Sequence, residues 1–465
     1  MEAFDKKKPL NALLVAIQLP RITDAEMQGS LAELGRLVTT LGYKVIGQTS
    51  QRRQSERGVT VLGDGKLQEL ATWTGGPGVI GPMVVKKKHK AALKFDKNLP
   101  EEDVDDENVE DLEDFTESEA PKEQAQIVIF DCDLSPSQLR NLESASGVPV
   151  LDRTGVIIEI FSRHARTRAA KLQVEIARLT YVAPRLRETG GGEDRGGGGV
   201  GGKGSGETAL ELDKRKIRDR IKELKQDLSN ISQEQDTRRS KRDQEISVAL
   251  VGYTNAGKSS LMRALTGSEV LVADKLFATL DTTVRLLHPE SVPKILISDT
   301  VGFIKKLPHD LVASFKSTLD EALNASLLLY VVDCSDPTFR AQLEVTRSVL
   351  AEVGAADIQS LLVLNKVDRL NGEEVEALKA EYPDAVYLSA RSPKDVAELR
   401  LKLISYFETD MVEEALFIPY ARPGAIGEIR AKMRVISDSY NAEGTTLKVR
   451  AHRDHIDRLK SKFKI

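Results

Sequence analysis

Apolar and polar residues along the chain predict alternating strands and helices in two regions. Apolar runs of roughly four to eight residues are typical of buried strands. Segments between them have apolar residues three and four positions apart and predict amphipathic helices. This alternation favours an α/β fold and, in the second region, a mostly parallel, doubly wound sheet. The strand runs lie at 13–17, 44–47 and 127–131, and at 246–251, 294–298, 327–332, 361–364 and 386–388.

The middle of the chain has a helical period. It runs from Ile157 to Leu186, and a second helix is predicted from about Glu207 to Gln244. The Gly-rich loop 189–206 joins them, so the pattern predicts a long antiparallel helical hairpin. The basic residues of the second helix fit either a solvated surface or contacts with RNA phosphates. They are Lys214, Arg215, Lys216, Arg218, Arg220, Arg238, Arg239, Lys241 and Arg242.

These patterns divide the chain into four parts and an insertion. We predict an N-terminal α/β subdomain at 1–156, the hairpin at 157–244, an α/β domain at 245–408 and a C-terminal part at 409–465. The last is either a small α+β domain or an extension of the sheet. Residues 72–122 interrupt the first part. They contain a run of acidic residues with few apolar ones, which favours a disordered insertion over a charge-regulated interaction arm.

Composition limits the partners and the compartment. The net charge is −4, so the chain as a whole is not an electrostatic binder of DNA, and any RNA contact requires local patches. Cys132 and Cys334 lie in or beside apolar runs, which predicts buried free thiols and a reducing compartment. No apolar run reaches about 18 residues, so no membrane span is expected. The N-terminus lacks the apolar core of a signal peptide, which favours the cytoplasm.

A glycine-rich loop follows the strand run at 246–251. Its spacing is Gly, four residues, then Gly-Lys-Ser, between a predicted strand and a predicted helix, as in a phosphate-binding loop (P-loop). Backbone N–H groups of such a loop converge on an anion at the helix N-terminus. Lys258 would reach the β- and γ-phosphates, and the Ser259 hydroxyl would bind Mg²⁺. The loop consists of Gly252, Tyr253, Thr254, Asn255, Ala256, Gly257, Lys258 and Ser259.

A second motif, Asp-x-x-Gly, ends the strand run at 294–298. Asp299 would hold Mg²⁺, through water, and the backbone N–H of Gly302 would sense the γ-phosphate. The motif comprises Asp299, Thr300, Val301 and Gly302.

Two further motifs at strand ends identify the base. Asp368 can accept hydrogen bonds from N1–H and the exocyclic amine of guanine, a donor pair that adenine lacks. Asn365 would fix this loop, and the stem of Lys366 would cover the base. The motifs are Asn365, Lys366, Val367 and Asp368, and then Ser389, Ala390 and Arg391, whose backbone N–H groups would meet guanine O6. Because all the motifs follow strands, they predict one GTP/GDP site at the carboxyl edge of the sheet.

Two features of the predicted site concern hydrolysis. A threonine that binds Mg²⁺ is expected between the P-loop and Asp299, and spacing alone leaves Thr279, Thr282 and Thr283 as candidates. Ras-like enzymes place a glutamine directly after Asp-x-x-Gly to orient the attacking water. Phe303 occupies that position here and cannot hydrogen-bond to water. We therefore expect a GTPase that is slow alone and is stimulated by a partner that completes the site.

Together the motifs resemble the HflX family of translational GTPases. Within the GTPase part the resemblance rests on the P-loop, on Phe277, Ala278, Thr279, Leu280 and Asp281, and on Asp299–Ile304 with Leu307 and Pro308. Segments outside it make the resemblance more specific. They are Gln51-Arg52-Arg53, Leu134-Ser135-Pro136, Arg140-Asn141-Leu142-Glu143, Asp152-Arg153-Thr154 and Gly204-Ser205-Gly206-Glu207-Thr208.

The resemblance implies a fold, a partner and roles for residues. The fold would be an N-terminal α/β subdomain with a helical hairpin and then a Ras-like GTPase domain. The partner would be the large ribosomal subunit and its rRNA. The Gly-rich loop would enter this subunit near the catalytic centre of the ribosome. The protein, a monomer when free, would split, rescue or recycle ribosomes under stress. Thr279 would be the Mg²⁺ threonine, and Lys258, Thr279 and Gly302 would serve catalysis.

The chain also departs from the family pattern. Thr282 stands where the family usually has proline, Ser260 replaces a common threonine, and the insertion at 72–122 is longer than usual. The alternative function is that of a GTP-switch scaffold that binds protein partners through the hairpin.

Overall fold

The computed structural model describes residues 9–80, 123–186, 209–239, 246–267, 276–277, 282–292, 294–305, 321–409, 411–451 and 453–463. Two compact units make up the chain, residues 1–159 and 160–465. The boundary falls within helix α4 (Arg153–His164). None of the helices in the described ranges is both long and apolar enough to cross a membrane.

The first unit contains a parallel four-stranded sheet in the order β2-β1-β3-β4. Apolar side chains of β1 and β3 are almost fully buried against the helices, as their uninterrupted apolar runs predict. Capping boxes begin two of the helices, at Thr23 and at Ser135. The strands are β1 (Asn11–Gln18), β2 (Lys44–Arg52), β3 (Ile127–Phe130) and β4 (Val150–Asp152), and the helices are α1 (Asp24–Thr40), α2 (Asp64–Thr74) and α3 (Pro136–Ser146).

The predicted start of the insertion at residue 72 is wrong. Helix α2 continues to Thr74, which is buried, and Gly75 ends it in the left-handed conformation. Gly76 then lies against the backbone of Ser146, where a Cβ would be 2.2 Å from the carbonyl oxygen. Residues 75–80 are therefore packed against the first unit, although their Gly and Pro content resembles that of a linker. The rest of the predicted insertion, 81–122, lies outside the described residues.

Arg153 is the buried centre of an ion-pair cluster in this first unit. Its guanidinium donates to Asp131, 2.6 Å away, and to Glu33. Ser30 donates to the second oxygen of Asp131 at 2.5 Å. Removing one partner of such a buried pair strands a charge and destabilises strongly. The Asp152-Arg153-Thr154 segment of the resemblance therefore has a structural role in this unit.

The second unit begins with the hairpin, which the structure shortens. The helix predicted from Ile157 to Leu186 is in fact two helices, because α4 ends at His164 and α5 (Arg168–Val182) begins anew. Thr167 caps α5 by accepting a hydrogen bond from the backbone N–H of Ala170, and this competes with a continuous helix. Apolar periodicity alone does not reveal such a break.

Helices α5 and α6 (Ala209–Arg239) form the hairpin. Arg168 pairs with Asp227 and Glu175 pairs with Arg220, so the chain directions are opposite. Leu224 of α6 is buried, as are Val174 and Ile176 of α5. A short 3₁₀ turn at Ala183–Arg185 follows α5, and the Gly-rich loop 189–206 lies outside the described residues.

A six-stranded sheet in the order β10-β9-β8-β5-β7-β6 follows the hairpin. All neighbouring strands are parallel except β6 and β7. The edge strand β6 was not predicted, because its Thr-Val-Arg-Leu sequence is short and mixed. The strands are β5 (Ile246–Val251), β6 (Thr283–Leu286), β7 (Ile295–Asp299), β8 (Leu327–Asp333), β9 (Ser360–Asn365) and β10 (Val386–Leu388), and the helices are α7 (Lys258–Thr266), α8 (Phe339–Glu352), α9 (Gly372–Glu381) and α10 (Pro393–Glu408).

The C-terminal part has its own antiparallel sheet in the order β11-β13-β12. The alternative that it extends the preceding sheet is therefore wrong. One face buries Leu416, Ile418, Leu447 and Val449 beneath two helices, in a separate core. The strands are β11 (Val412–Pro419), β12 (Arg434–Tyr440) and β13 (Gly444–Ala451), and the helices are α11 (Pro423–Lys432) and α12 (Arg453–Phe463).

Candidate nucleotide site

The predicted phosphate-binding loop lies between a strand and a helix, as its sequence requires. Strand β5 ends at Val251, and Gly252 follows with φ of +149°. A Cβ there would stand 2.2 Å from the carbonyl oxygen of Val331 on the neighbouring strand β8. Gly257 has φ of +98° and precedes α7, so the chain turns at the N-terminal end of this helix, where backbone N–H groups favour an anion.

Lys258 is buried in this loop. Its Nζ donates to the carbonyl oxygens of Gly252 at 3.0 Å and Tyr253 at 2.8 Å. Burial lowers the pKa of Lys258 to about 8, and the nearby Asp299 carboxylate opposes that shift. Within the described residues the hydrogen bonds of the Lys258 ammonium go to neutral carbonyls, which compensate the charge poorly. A phosphate oxygen at this place would stabilise the charged form.

This low pKa predicts that GDP binding weakens above pH 8. In the complex, phosphate charge raises the pKa of Lys258, so binding takes up a proton once the free protein has lost it. Below pH 8 the lysine is already charged, and the affinity should be flat. Above it, the dissociation constant should rise about tenfold per pH unit. Titration of a fluorescent GDP analogue between pH 7 and 9 measures this slope.

The control for this pH profile is Lys258→Arg, whose guanidinium does not lose its proton. The pH dependence of GDP binding by this variant reports the titration of guanine and of all protein groups other than Lys258. Equal slopes for the variant and the wild-type protein would contradict the role of Lys258.

Ser259 and Asp299 come together at the start of α7 and the end of β7. The Ser259 hydroxyl donates to the Asp299 carboxylate at 2.7 Å. Asp299 is fully buried, and the neighbouring Thr300 hydroxyl donates to the backbone oxygen of Leu250 at 2.8 Å, which fixes the strand end. A hydroxyl and a carboxylate beside a phosphate site are hard oxygen ligands, the type that Mg²⁺ prefers. This donor set therefore fits the cation that the sequence predicts.

The Asp-x-x-Gly segment lies directly against the P-loop. The N–H of Thr254 donates to the Phe303 carbonyl at 2.8 Å, and the N–H of Phe303 donates to the Gly252 carbonyl at 3.1 Å. A Cβ on Gly302 would lie 2.8 Å from the Thr254 methyl group and 3.1 Å from Lys258 Nζ. Phe303 itself is only 3% exposed. Its side chain therefore packs inside the protein and offers no polar group to a water at the phosphates.

Asn365 and Lys366 connect the base-recognition motif to the P-loop. Asn365 Nδ2 donates to the Ala256 carbonyl at 2.8 Å, and its Oδ1 accepts from the Ala390 N–H at 3.0 Å. Lys366 Nζ donates to the Asn255 carbonyl at 2.8 Å. Asp368 is exposed in a short 3₁₀ turn, where its carboxylate is accessible to a ligand. The predicted role of Asn365 as the fixing residue thus has a direct geometric basis.

The Ser389-Ala390-Arg391 loop is also built around internal hydrogen bonds. The N–H of Ser389 donates to Asp395 at 2.8 Å, and the N–H of Arg391 donates to the Ser389 hydroxyl at 3.3 Å. Since the Ala390 N–H meets Asn365, its predicted contact with guanine O6 requires a shared or rearranged hydrogen bond.

The first switch is only partly described. Thr279, Ala278, Leu280 and Asp281 lie outside the described residues, as do Leu307 and Pro308. Phe277 is buried, and its ring packs edge-on against Phe161 with centroids 4.6 Å apart. Thr283 begins β6 and pairs with Asp299 in the sheet. The choice of Thr279 as the Mg²⁺ threonine stays a prediction.

Sequence reasoning missed two residues that support the site, and a contact made by a third. Asp333 at the end of β8 pairs with Lys366, and Cys334 donates from its thiol to the Asn365 carbonyl at 3.0 Å. The Tyr253 hydroxyl accepts from the N–H of Lys305 at 2.5 Å. Asp333 had a usable signal, because it follows an apolar strand just as Asp299 and Asn365 do.

Three family models match the chain. The model described as "GTP-binding GTPase N-terminal" matches residues 28–80 and 85–162, and "GTP-binding GTPase Middle Region" matches 164–242. The model "50S ribosome-binding GTPase" matches 247–366, which includes the P-loop, the Asp-x-x-Gly segment and the first two residues of the base-recognition motif. Among solved structures, a GTP-binding protein from Sulfolobus solfataricus in complex with GDP is 23% identical over 85% of this chain and 99% of its own, with a TM-score of 0.41. That similarity is too distant to bear on the arrangement of the parts.

Curated relatives cover almost the whole chain. A GTPase HflX from Gluconacetobacter diazotrophicus is 57% identical over 98% of this chain and 99% of the relative. One from Caldanaerobacter subterraneus is 36% identical over 99% of the chain and 94% of the relative. The Escherichia coli GTPase HflX is 42% identical over 63% of the chain and 70% of the relative. With the P-loop, the Asp-x-x-Gly segment and the base motif in one site, the chain belongs to the HflX family of GTPases.

Proposed function

We propose that this GTPase binds the large ribosomal subunit in its GTP state and uses hydrolysis to split, rescue or recycle ribosomes. The observation that carries the proposal is a guanine-nucleotide site in which position 303 offers no side chain that could orient the attacking water. Phe303 is buried where Ras-like enzymes have glutamine. The "50S ribosome-binding GTPase" model matches this domain and supports the choice of partner. Such a role requires action in the cytoplasm.

The residues of the site divide the work of hydrolysis among them. Lys258 stabilises charge on the β- and γ-phosphates, and the N–H of Gly302 positions the γ-phosphate. Ser259, Asp299 and, through the resemblance, Thr279 would hold Mg²⁺, which when bound would neutralise phosphate charge. No side chain at position 303 orients the water. We infer that ribosomal contacts order the site and so accelerate the reaction.

Purified large subunits test this proposal. With a non-hydrolysable GTP analogue the protein should co-sediment with them, and with GDP it should not. Single-turnover GTP hydrolysis should be slow alone and accelerated by the subunits, while light scattering of intact ribosomes reports splitting. If the protein neither co-sediments with the subunits nor is stimulated by them, the result favours the scaffold function instead. Fast hydrolysis by the isolated protein would contradict the role assigned to Phe303.

The structure distinguishes the basic residues of α6 by their partners. Lys216 pairs with Asp213, and Arg220 pairs with Glu175 and Glu223. Four others, which are all exposed, define a cationic stripe: Lys214, Arg218, Lys222 and Lys225. None of these four makes an ion pair with a residue in the described ranges. Spacings of four, four and three place them within about 80° of the helix circumference. We propose that this stripe contacts rRNA phosphates.

Neutralising the stripe should weaken subunit binding in a salt-dependent way. In the variant Arg218→Gln, Lys222→Gln, Lys225→Gln, the loss of three phosphate contacts should lower the magnitude of the slope of log affinity against log salt by about 2 to 3. Sedimentation at several potassium chloride concentrations measures the slope. Lys216→Gln is the matched control, because that lysine already has a carboxylate partner. Equal effects of the two variants would contradict the stripe.

A further inference from the structure

Asp333 stands at the carboxyl end of β8, beside the base-recognition motif. In the parallel pairing of β8 with β9 it lies opposite Asn365. Its Oδ2 accepts from Lys366 Nζ at 2.6 Å, and the two side chains are 14% and 16% exposed. The pair is thus largely shielded from water, and it lies between the strand ends, where solvent screening is weaker than at an open surface.

Lys366 is held in an unusual conformation. Its backbone has φ of +67°, in the left-handed region that non-glycine residues rarely adopt. The same Nζ that contacts Asp333 donates to the carbonyl of Asn255 in the P-loop. The stem therefore extends from the base motif towards the P-loop, along the wall on which a guanine bound to Asp368 would rest.

The carboxylate of Asp333 is itself fixed by the turn that follows β8. Its Oδ1 accepts from the Ser335 N–H at 3.1 Å and from the Ser335 hydroxyl at 2.6 Å. In the same turn, the Cys334 N–H and thiol both donate to the Asn365 carbonyl, at 3.1 and 3.0 Å. One turn thus holds both Asn365 and Lys366 from β8.

We propose that Asp333 is a positioning residue for guanine nucleotides and acts through Lys366. By anchoring the ammonium, it keeps the lysine stem extended as one wall of the base pocket. Without the carboxylate, the ammonium retains only a carbonyl acceptor within the described residues and turns towards water. The inference rests on the guanine-nucleotide site and is independent of the ribosomal partner.

A double-mutant cycle on the full chain tests this role. Asp333→Asn should weaken binding of fluorescent GDP and of a non-hydrolysable GTP analogue by the same factor, about tenfold, because the base end is common to both. The KM for GTP should rise, and kcat should change little. In a Lys366→Ala background, the same Asp333→Asn change should alter affinity less than twofold, because its target is absent.

The control is Asp336→Asn in the same turn. Asp336 accepts hydrogen bonds from Thr338 and Gln342, and neither contacts Lys366. It should leave GDP affinity unchanged in both backgrounds. If Asp333→Asn does not fold, Asp333→Glu replaces it in the cycle, since the longer acid keeps the charge but displaces the ammonium.

Two results would overturn the proposal. One is an unchanged affinity for Asp333→Asn in the wild-type background. The other is the same loss with and without Lys366, which would mean that Asp333 acts only on the stability of the turn. Wild-type binding of GDP in the same assay confirms the guanine site separately, so a failure of the inference is distinguishable from a failure of the site.

Discussion

The variant Asp368→Asn is expected to lose GTP and to gain xanthosine triphosphate. The exposed Asp368 carboxylate is predicted to accept from two guanine donors, and hydrogen bonds to a charged acceptor contribute about 1.5–3 kcal/mol each. Removing the charge and placing an amide opposite the guanine amine should therefore lower GTP affinity at least about a hundredfold. Xanthine has a carbonyl in place of that amine, and the asparagine amide can donate to it.

Competition between fluorescent GDP or xanthosine diphosphate and the unlabelled nucleotides measures this exchange. Asp384→Asn is a matched control, because it removes another exposed carboxylate from the same domain, before β10. It should leave the preference for guanine intact. If Asp368→Asn keeps the wild-type affinity for GTP, another residue recognises the base, and the assignment of this motif is wrong.

The second large effect is expected from Gly257→Ala. Gly257 has φ of +98°, and a Cβ there would stand 2.2 Å from Asn365 Nδ2. The clash falls on the residue that joins the P-loop to the Ser389-Ala390-Arg391 loop through Ala256 and Ala390. Relief requires moving either the P-loop or the base motif. We expect GDP binding to weaken at least about a hundredfold, since both ends of the site are displaced.

Gly354→Ala separates the clash from backbone strain. Gly354 has φ of +89°, but a Cβ there meets no atom within 4 Å. Both variants should lose about 1 kcal/mol of unfolding free energy from the left-handed backbone. Only Gly257→Ala should lose GDP, as measured by fluorescence titration next to a urea unfolding curve. Equal GDP affinities for the two variants would show that Asn365 tolerates the displacement.

Local patterns in the sequence predicted the motifs that the structure brings to one edge of the sheet. The P-loop, Asp299 and the Asn365–Asp368 motif each follow an apolar run, and parallel strands bring their carboxyl ends to one edge. Because strand burial and glycine spacing are properties of short segments, the elements could be predicted without knowledge of distant contacts. The antiparallel edge strand β6 was not predicted, because its short mixed sequence has no clear period.

One local cap and several long-range contacts explain what the sequence did not reveal. Thr167 breaks a helix whose apolar period runs on, and Gly76 packs on Ser146 within a stretch that resembles a linker. Arg153 resembles a surface cation in sequence, but Asp131 and Glu33 enclose it. On α6, ion pairs with α5 and within the helix neutralise Lys216 and Arg220, while the cationic stripe is exposed and makes no ion pair with the described part of the chain. Partner choice depends on distances between residues far apart in sequence.

The sequence by itself determined the class of fold, the guanine-nucleotide chemistry and the family, because these depend on residue types at fixed local spacings. Tertiary structure alone decided three features. Asp333 forms an ion pair with Lys366, and the backbone of the buried Phe303 is hydrogen-bonded to the P-loop. The C-terminal sheet is separate from the six-stranded sheet. The physical reason is that hydrogen bonds, ion pairs and burial depend on distances in space. Distances between residues far apart in sequence are set by the packing of the whole chain, which overrides local preferences.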